Sequence, residues 1–364
     1  MAEITKIVLT GGPCGGKTSA LGFLQKELTD RGVAVACAEE AASMVKRMIR
    51  DGKLPDDMSS FAFHHMLFHC QIKAEEDALL SLAEAKTEKA VLLCDRGLMD
   101  SKAYVTPEDF AKYSRVYGSE NRILCRYDAV FHLVTAADGA EEYYVNNAER
   151  DETPGQARER DKCTMAVWAG TPHLRVIDNS TDFPGKLRRL LDEVLAVVGI
   201  PEPLEIERKF LILYPDLEKL NALPVCRKVP ISQTYLETPE EGRFRVRKRG
   251  EDMFIKTIKE KISELKRVER EESITKEQYE NYISKKEYCQ GTISKDRYCF
   301  VWKNQYFELD VFPFWDKTAL IEIELLKENQ PYELPDFLVA LREVTYEKQF
   351  RNKALAVQYG SRSE

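Results

Sequence analysis

At 364 residues the chain is too long for one core, since roughly 150 residues per domain predicts two, and its 43% hydrophobic content excludes a mainly disordered polymer. Acids exceed bases by 61 to 54, a net charge of −7 that argues against non-specific wrapping of duplex nucleic acid. No apolar run nears the roughly 18 residues that cross a bilayer, the N-terminus lacks the marks of a signal peptide, and nine scattered cysteines without CxxC pairs read as reduced thiols, so a soluble, cytoplasmic protein is expected.

The first half alternates short apolar runs with helical patterns. Residues 7–10, 33–37, 91–94, 129–134 and 174–177 carry few charges, as strands buried on both faces of a parallel sheet do. Amphipathic stretches at 17–30, 41–51, 61–87 and 183–198 supply helices to cover it. This predicts an α/β domain over residues 1–199.

Directly after the first strand, Gly11-Gly12-Pro13-Cys14-Gly15-Gly16-Lys17-Thr18 fits GxxxxGK[ST] and opens a helix. Glycines let successive N–H groups turn toward phosphate oxygens, and the helix adds its positive end. Lys17 is expected to reach the β- and γ-phosphates, and the Thr18 hydroxyl to ligate Mg2+. Asp95 ends the third strand, where a carboxylate holds Mg2+ or its water. Glu39 and Glu40 follow the second strand; one of them accepts a proton from an attacking hydroxyl or orients substrate, or both simply cap the next helix. Arg150, Arg158 and Arg160 form either a phosphate-neutralising lid or a salt-bridged surface helix. His65 and His69 have a metal-compatible i, i+4 spacing, but their aromatic company favours packing or pocket lining.

This half resembles the P-loop kinases, within them the small AAA-type NTPase and nicotinamide-riboside-kinase-like group. The resemblance rests on the GGPCGGKTS loop ending in Ser19, on Glu-Glu-Ala-Ala after the second strand, on Asp-Arg-Gly after the third, and on residues 176–180 with Asn179. It implies ATP bound through the loop with Asn179 near the adenine. The phosphoryl acceptor stays open, as does ATP hydrolysis coupled to a conformational change.

After Pro201 and Pro203 the texture changes to period-two alternation. Strands are expected at 204–213, 231–237, 243–249, 253–259, 267–274, 298–302, 306–312 and 319–326, with helices at 276–285 and 336–341, giving an antiparallel domain over 200–364. Alternation puts Glu205, Glu207 and Lys209 on one face, then Arg243, Arg245 and Arg247, then Thr257 and Lys259. Arg267, Glu269 and Glu271 follow, then Lys295 with Arg297, Glu308 with Asp310, and Glu322 with Glu324. On one strand this is a solvent face. Seven such strands instead suit a closed barrel with charges turned inward, carboxylates on one wall binding hard divalent cations and cations opposite binding polyphosphate.

Glu205-x-Glu207-x-Lys209 resembles the ExExK signature of the CYTH family, the triphosphate tunnel metalloenzymes. The likeness continues in order through residues 233–236, 243–247, 257–259, 267–271, 295–298, 308–311 and 322–325 to 343–345 and 352–355. It implies an eight-stranded tunnel binding triphosphates with Mg2+ or Mn2+. Carried over, Glu205, Glu207, Glu322 and Glu324 ligate metal with Asp310 nearby, while Lys209, Arg245, Arg247, Lys259, Arg267, Lys295 and Arg297 hold phosphates. Family members include inorganic, thiamine and RNA triphosphatases and class IV-type adenylate cyclases. Hydrolysis of a small triphosphate is expected here, with a cyclase, an ATP-driven regulator or a polyphosphate sensor as alternatives.

Overall fold

The computed structural model describes residues 2–144, 152–200, 206–261 and 267–360, with backbone alone over 259–261 and 267–270. The chain divides into two compact units, Met1–Glu205 with Lys303–Tyr306 and Leu326–Glu328, and Ile206–Trp302 with Phe307–Leu325 and Asn329–Glu364.

In the first unit β1 (Glu3–Thr10), β2 (Ala34–Ala38), β3 (Lys89–Asp95), β4 (Ala129–Leu133) and β5 (Leu174–Ile177) form a parallel sheet ordered β2-β3-β1-β4-β5. Its helices are α1 (Lys17–Thr29), α2 (Ala41–Arg50), α3 (Ser60–Leu82), α4 (Pro107–Ser114), α5 (Glu120–Leu124), α6 (Pro154–Val167) and α7 (Phe183–Val198). One core packs Ile7, Leu9, Val91, Leu93, Phe131 and Leu133 against Leu24 and Leu28 of α1 and Leu190 and Val194 of α7. Helices thus cover strands too apolar to face water, and burying one such side chain is worth about 1.5–3 kcal/mol. Parallel strands bring every β-to-α turn to one sheet edge, so the turns after β1, β2 and β3 become neighbours.

The second unit is a twisted sheet of nine strands ordered β10-β9-β8-β7-β11-β12-β13-β6-β14. These are β6 (Ile206–Leu213), β7 (Cys226–Thr238), β8 (Gly242–Arg249), β9 (Met253–Lys261), β10 (Arg267–Ser273), β11 (Cys289–Trp302), β12 (Gln305–Val311), β13 (Thr318–Leu325) and β14 (Ala340–Glu343). Helices α8 (Leu217–Asn221), α9 (Lys276–Ser284) and α10 (Asn352–Tyr359) complete it. Among the described residues the sheet holds nine strands where eight are expected, and no helix forms at 336–341. After Pro335 the chain turns and runs on as β14, whose four residues are all exposed and which adds to the edge of β6 through main-chain bonds.

The apolar face of this sheet looks outward. Phe210, Phe300, Phe307, Leu309, Ile321 and Ile323 pack with Leu220 of α8 and with Tyr332, Leu334 and Phe337. Phe244, Val246 and Phe254 pack beneath Tyr279 of α9. The charged face is enclosed, for Asp310 is 0%, Lys295 4% and Glu322 8% exposed. Further along that face Ile293, Phe312 and Leu320 meet Leu355 and Ala356, so α10 closes one end with an apolar plug. The helix comes so close that a Cβ on Gly291 would lie 2.4 Å from the Ala356 carbonyl oxygen, and Gly291 has a φ of +150°. Only glycine fits there.

Candidate functional site

In the first unit the loop after β1 is shaped as a cradle. A Cβ on Gly11 would sit 2.2 Å from the Leu133 carbonyl oxygen, so the loop can lie against β4 only with glycine there. Gly16 precedes α1 with a φ of 87° and no side-chain cap, which leaves first-turn N–H groups to an anion. Lys17 folds back over the loop, donating to the Gly11 and Gly12 carbonyls at 3.1 Å each. Burial, reinforced by Arg96, lowers its ammonium to about 8. Pro13 offers its carbonyl to the Thr135 hydroxyl, Cys14 takes a φ of 54°, Gly15 is buried, and Thr18 and Ser19 are exposed.

Asp95, at the end of β3, is 9% exposed with a buried Oδ1 that has no hydrogen-bond partner among the described residues. Burial raises its pKa, Lys17 opposing and Glu40 adding to the rise. The two glutamates after β2 part ways. Glu39 is held bidentate by Arg47 at 2.8 Å on the surface, whereas Glu40 lies 3.6 Å from Arg96. Arg96 also reaches Asp100 at 3.3 Å, and Asp100 accepts from the Thr10 hydroxyl at 2.5 Å. Arg158 donates to the Ala137 carbonyl at 2.7 Å and Arg160 to Ala103 at 2.7 Å. Asn179 donates to the Thr135 and Asp138 carbonyls at 2.8 and 2.7 Å, tying the loop after β4 to the loop after β5. Arg150 lies outside the described residues. His65 and His69 meet at 3.0 Å between their Nε2 atoms.

Asp161 on α6 was not foreseen. Its Oδ1 accepts the Gly12 N–H at 2.7 Å while His132 lies 3.1 Å from its Oδ2, so a buried carboxylate struts the phosphate loop. No local pattern announces a contact between residues 149 positions apart.

In the second unit, register brings the charged residues into one array. Glu322 of β13 lies opposite Lys209 of β6 and Glu308 of β12, and Glu324 lies opposite Glu207. Arg297 clamps Asp310 with Nε and Nη2, both at 2.7 Å, contacts Glu308, and reaches Glu322 at 3.2 Å. Lys295 pairs with the same Asp310 and with the Asn352 amide oxygen at 3.2 Å. Lys209 bridges Glu322 at 2.8 Å and Glu207 at 3.1 Å. Around the sheet Arg245, opposite Tyr235 and Thr257, meets Glu271 at 3.2 Å, and Thr257 donates to that carboxylate at 2.8 Å. Glu205 and the side chains of Lys259 and Arg267 lie outside the described residues.

Each charge shift has a local cause. Burial disfavours ionised Asp310, but Arg297 and Lys295 outweigh it and hold the carboxyl well below the usual range. Burial and Arg297 bring Lys295 down to about 8, against the pull of Asp310. Burial and the Glu322 carboxylate raise Glu207 to about 7. Burial and Arg245 lower Arg247 to about 10, and its Nε has no hydrogen-bond partner among the described residues. One wall is therefore a network of self-compensated pairs with a crowded carboxylate edge, and the other holds an under-compensated guanidinium. Electrostatically, the arginine side would favour a polyanion and the carboxylate edge at Glu207 a positive charge.

Residues 6–186 match the family model of an AAA domain and residues 203–353 that of a CYTH domain. An inorganic triphosphatase of Nitrosomonas europaea is 37% identical over 159 residues, spanning 42% of this chain and 97% of that protein. Among solved structures, one of an inorganic triphosphatase is 33% identical with a TM-score of 0.32, covering 43% of this chain and 97% of its own. A Pyrococcus horikoshii protein is 22% identical with a TM-score of 0.24, covering 33% and 78%.

Proposed function

The chain belongs to the CYTH family through its C-terminal half and carries a P-loop AAA domain before it, and from that premise we propose that it is a bifunctional phosphate-transfer enzyme. Its second half, from about residue 200, hydrolyses a small triphosphate with the help of a divalent cation. Its first half binds ATP and transfers the terminal phosphoryl group. The nine free cysteines support a reducing, cytoplasmic setting.

The observation that carries the hydrolase reading is the enclosed charged face, with Asp310 at 0% and Lys295 at 4% exposure held in mutual ion pairs. Burying so many charges is unfavourable for folding alone, because apolar residues of like volume would be as stable or more so. They suit a site that receives charge.

The donor set fits Mg2+ or Mn2+. Among the described residues no three carboxylate, histidine or cysteine groups converge as a closed cage, yet Mg2+ is commonly held by one or two carboxylates plus substrate phosphates. The crowding that raises Glu207 to about 7 supports Glu207 and Glu322 as that pair, with Glu324 opposite Glu207 in the register and Glu205 added on the family resemblance alone. Asp310 is better placed to organise Arg297 and Lys295 than to ligate metal. When bound, the cation supplies Lewis-acid charge stabilisation and positions water. Arg245, Arg247, Lys295, Arg297 and Lys209 orient the chain of phosphates and offset charge on the departing oxygen, a role the family resemblance also assigns to Lys259 and Arg267. In the first half, Lys17 turns from the loop carbonyls to the phosphates, and Thr18 and Asp95 complete a Mg2+ site beside them.

Phosphate release from tripolyphosphate, thiamine triphosphate, ATP and RNA 5′ ends, with and without Mg2+ or Mn2+, tests the hydrolase reading. Cation-dependent release from a small triphosphate is expected. Cyclic product from ATP, or binding without turnover of any of the four, overturns it.

A further inference from the structure

His65 and His69 of α3 take no part in the phosphate loop or in the charged sheet. Phe61, His65, His69 and Lys73 recur at i, i+4 spacing and so stand in one row on the helix surface. We infer that His65 and His69 form a two-imidazole chelate for a divalent transition-metal ion of the Ni2+ and Cu2+ class, on the surface of the first half.

The distance between the rings carries the inference. Their Nε2 atoms lie 3.0 Å apart. As neutral rings, one donates its Nε2–H to the other; when the donor's proton shifts to its own Nδ1, both Nε2 lone pairs are free to bind one ion. With metal–nitrogen bonds of roughly 2.0–2.1 Å, nitrogens 3.0 Å apart subtend roughly 90–97° at that ion. This is the cis angle of square-planar, tetragonal and octahedral ions, and it is narrower than the tetrahedral angle of zinc. Imidazole suits Ni2+ and Cu2+, which stand high in the general order of affinity, whereas Mg2+ and Mn2+ favour carboxylate and water.

The surroundings hold the rings in place. Phe61 stacks on His65 at 6.0 Å and 18°, and Tyr113 of α4 lies 5.9 Å from the same ring. Tyr117, just beyond α4, meets His69 edge-on at 6.4 Å and 65°, and the two imidazoles cross at 4.6 Å and 75°. Side chains fixed in this way lose little rotamer freedom when they close on an ion. The aromatic company that reads as packing in the sequence thus also orients the donors.

The charges permit a cation. Burial and a charged His69 both lower the His65 pKa from the ordinary 6.5, so this ring is neutral at pH 7 and able to ligate. Each neighbouring lysine has its own counter-charge, Lys73 at 3.5 Å from Asp77 and Lys112 at 2.7 Å from Asp109. His69 is exposed, so an ion can enter from solvent. Among the described residues no third histidine, cysteine or carboxylate joins the pair, which leaves the other coordination positions to water.

The test titrates the full chain with NiCl2 at pH 7.5 in excess Mg2+, which occupies the oxygen-rich sites. Ni2+ is the probe because Cu2+ would oxidise the nine free thiols. The chain has five histidines, so imidazole NMR shows which rings meet the paramagnetic ion. The His65 and His69 signals are expected to broaden first, and calorimetry to give one site. His65→Gln and His69→Gln should each weaken that binding about a hundredfold, because the second ring joins as an intramolecular ligand. Without Ni2+ both variants should melt with the wild type, and added Ni2+ should raise the melting temperature of the wild type alone. The broadening experiment needs no variant, so it decides even where a substitution impairs folding. If Ni2+ fails to bind, broadens other histidines first, binds with His65 and His69 unaffected, or binds the folded variants as tightly as the wild type, the inference is overturned.

Discussion

The two halves handle phosphate by opposite means. The first presents main-chain N–H groups on a loop that glycine lets lie against β4, with one lysine folded onto the loop carbonyls, so little charge is stored there. The second presents side chains, Asp310, Glu322, Glu207, Lys209, Lys295 and Arg297, which must neutralise one another before any ligand arrives. A backbone cradle tolerates side-chain change except at its glycines and lysine. A side-chain array does not, because removing one member leaves its partners buried and uncompensated.

That contrast is broken most forcefully at Glu322, which touches both Lys209 and Arg297. Glu322→Ala is expected to lower cation-dependent tripolyphosphate hydrolysis by on the order of a thousandfold or more while ATP affinity holds. Phosphate release and nucleotide titration on the same sample check it. Asp310→Asn probes the array as a structure. Lys295 and Arg297 lose their shared counter-charge, so stability should fall by about 3–5 kcal/mol. Added tripolyphosphate should raise the melting temperature of this variant more than that of the wild type, since the ligand supplies the missing negative charge. A loss under about 1 kcal/mol would mean the wall is solvated rather than self-compensating.

What the sequence made legible follows from the same contrast. The phosphate loop is local, so eight consecutive residues disclose strand, turn and helix start together. The charged face is legible because a strand's parity needs no knowledge of its partners: Lys209 joins Glu207, Arg297 joins Lys295, Asp310 joins Glu308 and Glu324 joins Glu322 by counting alone. Who pairs with whom is not local. Nothing in the order of residues says that Arg297 forks onto Asp310, that Lys295 meets Asn352, or that Asp161 holds Gly12. The segment 336–341 misleads for a related reason. Its few apolar residues fit a short helix as well as a strand, and the vacant edge of β6 decides for β14.

Lys17→Ala sharpens the comparison from the other side. It removes the cradle's own lysine while Arg96 remains beside the loop, and is expected to weaken ATP binding on the order of a hundredfold, with tripolyphosphate hydrolysis unaffected. Should this change and Glu322→Ala each abolish both activities in folded protein, the two halves are not separate sites.

The smallest expected effect concerns Lys186, which is 2% exposed and donates to the Val134 carbonyl at 2.7 Å and the Asn179 side-chain oxygen at 2.8 Å. Burial lowers its ammonium from the ordinary 10.5 to about 8, with Arg189 adding to the fall and Asp161 and Asp178 resisting it. Between pH 8 and 10.5 the unfolded chain therefore holds this proton more than the folded one does. By linkage, stability rises with pH through that window, and below pH 8 the full penalty for the buried charge is present. Lys186→Met abolishes the titration, so the wild type should gain on the variant as pH is raised from 8 toward 10, by on the order of 2 kcal/mol. Melting curves of both proteins at stepped pH give the difference directly, and other titrating groups cancel between them. A gap that stays flat would mean that the two oxygen acceptors hold the ammonium charged throughout, and that even the backbone-built half stores a compensated charge at its centre.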